Sequence, residues 1–351
     1  MLKLPGLIDP HVHLRTPGQE YKEDFTSGTK AAIAGGFTTI LDMPNNSVPI
    51  TTFELLKQKQ QIAKSTILCD VGFHFGSLGQ NFEEFAKVQN GVTGIKIYLN
   101  QTTGGFIVDT NVFRKICESW PVELPILVHA EADVIGEVIE IGHQTIKKLH
   151  ICHISSQKEL ETVINAKQHG YNVTCGVTPH HLFLTEEATQ RLGSIARMKP
   201  TLKPQADVDF LWSHLQDIDI IESDHAPHSR EEKQSDKPPF GIPGLETTLA
   251  LLLTAVKENK LTVQDIVRLC HDNPAKIFNI TEDPQTYIEV DENEEWVVDA
   301  SKLFTKAKSS PWHGVPLTGK VKRVYIRGTK VFENNQFFVE PGFGQIIKNI
   351  T

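Results

Sequence analysis

Residues 6–13 read Gly-Leu-Ile-Asp-Pro-His-Val-His, a short apolar run that ends in two histidines. The apolar residues predict a buried strand over residues 6–9. In an extended segment, residues two apart point to the same side, so His11 and His13 can reach one ion. Such a pair is a weak signal by itself in a chain with 15 histidines. Its meaning depends on the residues that close the other strands.

Strand-like apolar runs recur along the first 225 residues, at 6–9, 37–42, 67–73, 94–99, 124–128, 149–152, 171–175 and 217–221. Segments with helical spacing lie between most of them, at 22–34, 52–63, 133–146, 157–169 and 206–215. Alternation of strand and helix implies parallel pairing with right-handed crossovers. Eight such units predict an α/β fold, a (β/α)8 TIM-type barrel.

The sequence changes character after residue 280. Residues 281–300 are acidic and loop-like, and short alternating strands follow at 321–326, 328–332 and 337–339. We therefore predict a barrel over residues 1–280, and an acidic connector with a small C-terminal β appendage over residues 281–351. The appendage is too short to hold much core of its own, so we expect it to pack on the barrel.

Composition excludes several classes of protein. The formal net charge of −8, without a basic run, argues against nucleic-acid binding. The longest apolar stretch, residues 249–256, is far too short to cross a bilayer, and the N-terminus lacks the apolar core of a signal peptide. The five cysteines form no C-x-x-C pair, which favours reduced thiols and a cytoplasmic location.

Polar residues close three of the later strands. His129 ends Leu-Pro-Ile-Leu-Val-His, His153 ends Leu-His-Ile-Cys-His, and Asp224 ends Ile-Asp-Ile-Ile-Glu-Ser-Asp. The carboxyl ends of barrel strands converge on one rim, so we expect these side chains to meet His11 and His13. Each alone could be a hydrogen-bonded structural residue. Together, histidines and a carboxylate without thiolates favour a zinc site with an open position for water.

Lys96 lies in the middle of an apolar strand, Gly-Ile-Lys-Ile-Tyr-Leu. Burial favours the neutral amine of a lysine, and a neutral amine can take up carbon dioxide to become a carbamate. The two carbamate oxygens can bridge two cations about 3.5–4 Å apart. A lysine paired with a carboxylate is the alternative, although no acidic residue lies nearby in this strand. Strand alternation turns Cys152 away from the site, so we expect a structural role for it.

These motifs resemble the amidohydrolase superfamily and, within it, the dihydroorotases of the long type found in animal multifunctional pyrimidine-synthesis proteins and many bacteria. The matching segments follow in order over nearly the whole chain, at 6–15, 17–18, 42–45, 94–98, 128–131, 150–153, 178–181, 223–228, 241–246 and 273–275. The resemblance implies reversible hydrolysis of a cyclic amide, between (S)-dihydroorotate and N-carbamoyl-L-aspartate, in pyrimidine biosynthesis.

The resemblance also implies a metal centre, with two zinc ions bridged by a carboxylated Lys96 and a hydroxide. The ligands that it assigns are His11, His13, Lys96, His129, His153 and Asp224. Asp224 is also the implied catalytic residue, because it takes a proton from the hydroxide and returns it to the leaving nitrogen.

Two residues distinguish dihydroorotases from allantoinases and hydantoinases, which share the metal pattern. Arg15 lies two residues past the histidine pair, and Asn45 follows Met-Pro. The free carboxylate of the substrate needs a fork-shaped cation. The substrate-binding residues implied by the resemblance are Arg15, Asn45, His228, Thr102, Lys199, Phe240 and Gly241. Another cyclic amidohydrolase and a non-catalytic scaffold of the same descent are the alternatives.

The chain departs from the family at four places. Gly176 stands where relatives often carry glutamate, so we expect two ions and no third. Lys199 stands where many relatives carry asparagine or arginine. Residues 100–105 resemble the lid of the family, with Thr103 where the animal type has an aromatic residue. The N-terminus lacks the strands that many relatives place before the barrel, so we expect an abridged appendage.

The expected partners are a small anionic substrate, a second copy of the chain in a homodimer, and aspartate transcarbamoylase in a complex. Neither nucleic acid nor a membrane is expected.

Overall fold

A computed structural model describes residues 1–102, 106–121 and 123–347 of the chain. The strands are β1 (Leu2–Pro5), β2 (Leu7–Val12), β3 (Phe37–Asp42), β4 (Asp70–Gly76), β5 (Gly94–Tyr98), β6 (Ile126–His129), β7 (Leu149–Ile154), β8 (Val173–Val177), β9 (Ile220–Ile221), β10 (Tyr287–Val297), β11 (Pro316–Ile326), β12 (Thr329–Glu333) and β13 (Gln336–Phe337). The α-helices are α1 (Phe25–Ala34), α2 (Phe53–Lys64), α3 (Phe85–Val88), α4 (Thr110–Ser119), α5 (Val134–Gln144), α6 (Gln157–Gln168), α7 (Pro179–Phe183), α8 (Glu186–Leu192), α9 (Gln205–Ser213), α10 (Arg230–Lys233), α11 (Leu245–Lys257), α12 (Val263–Val267) and α13 (Asn273–Ile277).

Strands β2 to β9 form an eight-stranded parallel sheet in sequence order, with helices between them. The first and last strands approach each other through a parallel bridge between Val12 and His225. The backbone N–H of His13 also donates to the carbonyl of His225 at 2.8 Å. The predicted (β/α)8 barrel is therefore confirmed.

The barrel strands are buried except at Asp70 of β4 and Thr174 of β8, which are half-buried, and this burial explains why they read as continuous apolar runs. Every residue of β3 and β5 is buried, including Lys96. The predicted strand at 37–42 coincides with β3, whereas β2 continues past the prediction to Val12. The extension carries His11, and polar residues at a rim do not register in an apolar pattern.

The remaining strands form an antiparallel sheet in the order β1-β10-β11-β12-β13. Two expectations are wrong here. A strand, β1, does precede the barrel, and its register places Leu2 opposite Val290 of β10. Residues 287–297 of the predicted acidic connector form β10, because Glu289 and Glu294 pair with Arg323 and with the lysines of β11.

The appendage sheet packs on the barrel and shares its core. Ile288 and Val321 belong to the same cluster of buried apolar side chains as the barrel residues Phe37 and Leu249. A Cβ atom added to Gly36 would lie 2.9 Å from Ile288 Cδ1, so the sheet closely approaches the turn before β3. The division at residue 280 stays a prediction, since β1 joins the appendage sheet. In the part of the chain that the structure describes, no helix is both long and apolar enough to cross a bilayer.

Candidate metal centre and substrate cleft

The six predicted ligands lie in barrel strands or within three residues after them, five towards the carboxyl ends and Lys96 in the middle of β5. They are His11, His13, Lys96, His129, His153 and Asp224, and each is at most 7% exposed. The barrel therefore brings side chains from five strands to one rim, which is where barrel enzymes place their chemistry.

His11, His13 and Asp224 form the first group. The Oδ1 atom of Asp224 lies 3.0 Å from His13 Nε2 and 3.4 Å from His11 Nε2. One ligand atom from each of the three residues falls within 4.8 Å of the others, a spacing that could hold a metal ion. His13 Nδ1 lies 2.7 Å from Asn45 Oδ1, and a hydrogen on Nδ1 would leave the lone pair of Nε2, which faces Asp224, to bind a cation.

His129 and His153 form the second group. His129 Nδ1 lies 3.0 Å from His153 Nε2, and the His153 ring lies 5.2 Å from that of His11. His129 Nε2 and His153 Nδ1 are buried and have no hydrogen-bond partner. Because unpartnered buried nitrogens are costly, these atoms are suited to an additional ligand such as a metal ion.

Burial keeps three of these histidines in the neutral form that binds metal. Burial, followed by the charge of Lys96, lowers the pKa of His129 to about 3, and burial lowers the pKa of His13 to about 4. Burial, followed by His129, lowers the pKa of His153 well below its ordinary value. His11 differs: although burial and Lys96 lower its pKa, the carboxylates of Glu222 and Asp224 raise it to about 10. The two carboxylates thus favour a positive charge beside them.

Lys96 contacts Cys152, which corrects the expectation that this thiol points away. Lys96 Nζ lies 2.8 Å from Cys152 Sγ. The cause is the backbone of His153, whose φ of 41° interrupts the strand alternation, so that both Cys152 and His153 face the site. Among the described residues, no carboxylate lies within 4.0 Å of the Lys96 amine, so the alternative of an ion-paired lysine finds no partner there.

The sequence prediction missed Glu222, which joins the two groups. This fully buried carboxylate accepts from the backbone N–H of His153 at 2.5 Å and lies 3.2 Å from His11 Nδ1. Ligand atoms of His11, Cys152 and Glu222 also gather within 4.8 Å, so a thiol belongs to the cluster. Glu222 stands two residues before Asp224, and the same i, i+2 rule that singled out the histidine pair could have found it.

Three site residues have left-handed backbone conformations, which non-glycine residues adopt rarely. The φ angles are 62° at Arg15, 41° at His153 and 43° at Asp224. Such conformations cluster at functional sites, because only surrounding structure can hold them.

A cleft of about 290 Å³ opens beside the first group, and His13 and Asp224 lie in its wall. Its other lining residues are Arg15, Asn45, Thr102, Lys199, Ala226, Phe240 and Gly241. Every predicted substrate residue except His228 therefore lines one cleft. Larger cavities occur elsewhere, including one of about 1050 Å³ between the barrel and the appendage, but they lack the histidines of the rim.

Arg15 is the buried cation of the cleft, 4% exposed. Its Nε donates to the carbonyl of Pro227 at 3.2 Å, and its Nη2 lies 3.2 Å from His228 Nε2. Burial, followed by Arg15, lowers the pKa of His228, so a neutral ring lies behind the guanidinium. Among the described residues, no carboxylate lies within 4.0 Å of the Arg15 guanidinium, so it can take an anion.

Lys199 and Thr102 are half-buried lining residues of the cleft. Lys199 Nζ lies 4.0 Å from a carboxylate oxygen of Glu131 and 5.8 Å from the centre of the Phe240 ring. Thr103, the expected lid position, lies outside the described residues.

Comparisons with known proteins agree with this geometry. The amidohydrolase family model matches residues 2–331. The chain is 42% identical over 350 residues to the multifunctional protein CAD of Squalus acanthias, covering 99% of the chain but 16% of that protein. It is 36% identical over 366 residues to a dihydroorotase of Pyrococcus horikoshii, covering 98% of the chain and 84% of that protein. The L-hydantoinase (dihydropyrimidinase) of Arthrobacter aurescens superimposes with a TM-score of 0.94 at 26% identity, covering 99% and 89%.

The chain thus spans about 16% of the length of the first curated relatives that it matches, which are multifunctional proteins.

Proposed function

The chain belongs to the amidohydrolase family, and we propose that it is a dihydroorotase of pyrimidine biosynthesis. It would hydrolyse (S)-dihydroorotate to N-carbamoyl-L-aspartate and close the ring in the reverse direction. One observation carries the proposal: the buried guanidinium of Arg15 shares a cleft with Asn45 and with the carboxylate of Asp224. A ring amide bearing a carboxylate needs this combination. Similarity to dihydroorotases over nearly the whole chain supports it.

We propose that the rim holds two zinc ions. The donor set fits, since His129 and His153 present unpartnered buried nitrogens and neutral rings, and Asp224 lies between His11 and His13. Bound zinc would supply a hydroxide at neutral pH and polarise the ring carbonyl. Lys96 would supply a further ligand to the ions after its amine adds carbon dioxide, which forms an N–C bond and releases one proton.

Asp224 would carry the proton in the reaction. Burial raises the pKa of Asp224, but His11 and His13 outweigh burial and lower it, so the carboxylate is ionised and can accept a proton. It would take that proton from the attacking water and deliver it to the leaving ring nitrogen. Asp224→Asn should therefore lower turnover by more than about tenfold without unfolding the chain.

Arg15 and Asn45 would orient the substrate. The guanidinium offers two parallel donors to the ring carboxylate, and the Asn45 side chain lies beside it in the cleft wall. His228 lies behind Arg15 and would fix its direction instead of lining the cleft.

The test compares substrates that differ in the carboxylate. Arg15→Ala should lower kcat/KM for dihydroorotate by about 10- to 150-fold, the value of a hydrogen bond to a charged group. Its effect on dihydrouracil and hydantoin, which lack the carboxylate, should be small. Arg114→Ala, a variant of an arginine that donates to Gln144 on the exposed surface, serves as the control.

Two results would replace the proposal. Faster turnover of hydantoin or dihydrouracil than of dihydroorotate would indicate another cyclic amidohydrolase. A purified chain that binds no zinc and turns over none of the three compounds would indicate the scaffold. Loss of dihydroorotate turnover in a chelator, restored by zinc, would support the enzyme.

The proposal includes a homodimer, a complex with aspartate transcarbamoylase and a cytoplasmic location. Relatives within multifunctional pyrimidine proteins support an assembly, and the five free, buried cysteines suit a reducing compartment. Light scattering of the purified chain tests the dimer, and co-purification with the transcarbamoylase tests the complex.

A further inference from the structure

His225 follows Asp224 in the chain, and the hydrogen bonds of its ring fix one tautomer. The ring is 1% exposed, and its Nδ1 accepts from the backbone N–H of Gly244 at 3.2 Å. An acceptor nitrogen carries no hydrogen, so in the neutral ring the hydrogen lies on Nε2. That nitrogen lies 3.3 Å from Glu23 Oε2. His225 therefore donates to a carboxylate that lies outside the cleft.

Glu23 is fully buried and connects His225 to the appendage. The same oxygen, Oε2, accepts from the hydroxyl of Thr305 at 2.5 Å. Thr305 is 1% exposed and lies in the connection between β10 and β11. A continuous row of hydrogen bonds thus runs from Thr305 through Glu23 to the residue next to Asp224.

The segment that carries Thr305 is fixed on the barrel from both sides. Glu246, in the first turn of α11, accepts from the backbone N–H groups of Phe304 and Thr305 at 2.8 and 3.1 Å. Lys306 pairs with Asp24, the N-cap of α1, at 2.6 Å. The Thr305 hydroxyl is therefore placed by the barrel helices and does not depend on a free loop.

The position of Asp224 depends on its neighbours, because its φ of 43° is unfavourable for a residue with a side chain. On one side, the Ser223 N–H donates to the carboxylate of Asp9 at 3.2 Å. On the other side, His225 accepts from the backbone of His13 at 2.8 Å and is fixed through its ring. Release of that ring would let the Asp224 carboxylate move relative to His13.

We propose that Thr305, a residue of the appendage, is a positioning residue for Asp224 and acts through Glu23 and His225. The inference rests on the proposed function, and it gives the β appendage a part in catalysis. A displacement of about 1 Å at a reacting group can cost about 100-fold in rate. Loss of one hydrogen bond at the far end of the row should cost less, about tenfold in kcat.

The chain offers a matched control at the other end of the barrel. Thr39 is 2% exposed, and its hydroxyl donates to a carboxylate oxygen of Glu282 at 2.8 Å. Thr39→Val and Thr305→Val each remove a buried threonine hydroxyl from a glutamate, which is fully buried for Glu23 and half-buried for Glu282, and they keep the shape of the side chain. The two differ in that only Glu23 contacts a residue adjacent to the metal centre.

The experiment measures kcat, KM and zinc retention against a chelator for the wild type, Thr305→Val, Thr305→Ser and Thr39→Val in the full chain. Thr305→Val should lower kcat about tenfold, change KM less than twofold and lose zinc faster. Thr305→Ser keeps the hydroxyl and should stay within twofold of the wild type. Thr39→Val should keep the kcat and the zinc retention of the wild type, even if its melting temperature falls as much as that of Thr305→Val.

Equal behaviour of Thr305→Val and Thr39→Val in both kcat and zinc retention would overturn the inference. If Thr305→Val does not fold, Thr305→Ala takes its place, and failure of both to fold assigns the threonine to stability and also overturns it. A wild type that does not turn over dihydroorotate refutes the proposed function instead. In that case, zinc retention alone decides whether Thr305 positions the centre.

Discussion

Lys59 and Lys96 are the two most deeply buried lysines among the described residues, and they have opposite kinds of partner. Lys59, on α2, is 1% exposed and lies 2.7 Å from the carboxylate of Asp42. It also donates to the carbonyl of Met43 at 2.9 Å and to Asn46 Oδ1 at 2.8 Å. All three donors of this ammonium therefore have an oxygen acceptor, as a buried charge requires.

Lys96 is fully buried in β5, yet its partner is the sulfur of Cys152, a weak acceptor. Its charge lowers the pKa values of His129 and His153, although burial contributes more to both shifts. A buried amine without a carboxylate partner contributes little to stability, but its nitrogen is available for reaction. From this difference we propose that Lys59 stabilises the rim, whereas Lys96 takes part in the chemistry.

The two regions are connected through the loop after β3. Asp42 also accepts from the backbone N–H of Leu14 at 2.8 Å, so the Lys59 pair fixes the chain just after the histidine pair. The residues that Lys59 holds flank Asn45, which contacts His13. The well-partnered lysine thus supports the ligands that surround the poorly partnered one.

The largest expected effect is on catalysis, at Lys96. Lys96→Met should lower turnover by about 1000-fold or more, because the ligand that we propose Lys96 to supply to the metal centre would be lost. The free energy of unfolding without metal should stay equal or rise, since an apolar chain of similar length replaces an amine with poor partners. Steady-state kinetics, zinc content and urea unfolding measure these changes. Retained turnover, or a large loss of stability, would show that Lys96 is structural like Lys59.

The next effect is on stability, at Lys59. Lys59→Met should lower the free energy of unfolding by about 3–5 kcal/mol, because it leaves the carboxylate of Asp42 buried and unpaired. The double variant Lys59→Met with Asp42→Asn should recover much of that loss, since the asparagine oxygen can still accept from Leu14. Urea unfolding of the three proteins decides the question. If Lys59→Met is as stable as the wild type, Lys59 does not stabilise the rim and does not differ from Lys96 in this way.

The stabilisation that zinc gives should also differ between the two lysine variants, by a smaller free energy. A ligand at 100 times its dissociation constant stabilises the folded state by about 2.7 kcal/mol. The wild type and Lys59→Met should show this rise in zinc and bicarbonate, and Lys96→Met should show less of it. Thermal unfolding at increasing zinc concentrations measures the response. An equal response in both lysine variants would remove the special role of Lys96.

The sequence predicts the barrel well because its information is local. Strands buried on both faces, such as β3, appear as unbroken apolar runs, and helices such as α6 have apolar residues at helical spacing. Strands β1 and β10 escaped prediction for the opposite reason. Their pairing joins residues almost three hundred positions apart, and the acidic residues of β10 pair with cations of β11 and α11.

The candidate site is predictable to the same degree. Motifs at the strand ends bring the expected ligands to one rim, and their roles stay predictions until tested. Alternation counted back from His153 gave the wrong direction for Cys152, because the left-handed φ of His153 turns His153 itself out of the alternation. Glu222 was missed because its importance lies in its distance to His11, a contact between the two ends of the barrel sheet.

The smallest effect concerns the space that Glu222 occupies. A Cβ atom at Gly176 would lie 2.7 Å from the Glu222 carboxylate, so any side chain there must displace it. Gly176→Ala should therefore lower the free energy of unfolding by about 1–3 kcal/mol and weaken zinc retention. Gly136→Ala is the control, because the nearest atom to its added Cβ, in Thr162, is 3.9 Å away. On α5 it should be neutral or stabilise by about 0.5–1 kcal/mol.

Chelator competition and urea unfolding of the two alanine variants complete this comparison. If Gly176→Ala keeps the stability and the zinc retention of the wild type, Glu222 has room to move, and its carboxylate does not fix His11 and His153. If stability falls while zinc retention is unchanged, Glu222 belongs with Lys59 among the groups that support the rim. Loss of both assigns it to the metal centre with Lys96, because only there does a shifted carboxylate alter the ligands directly.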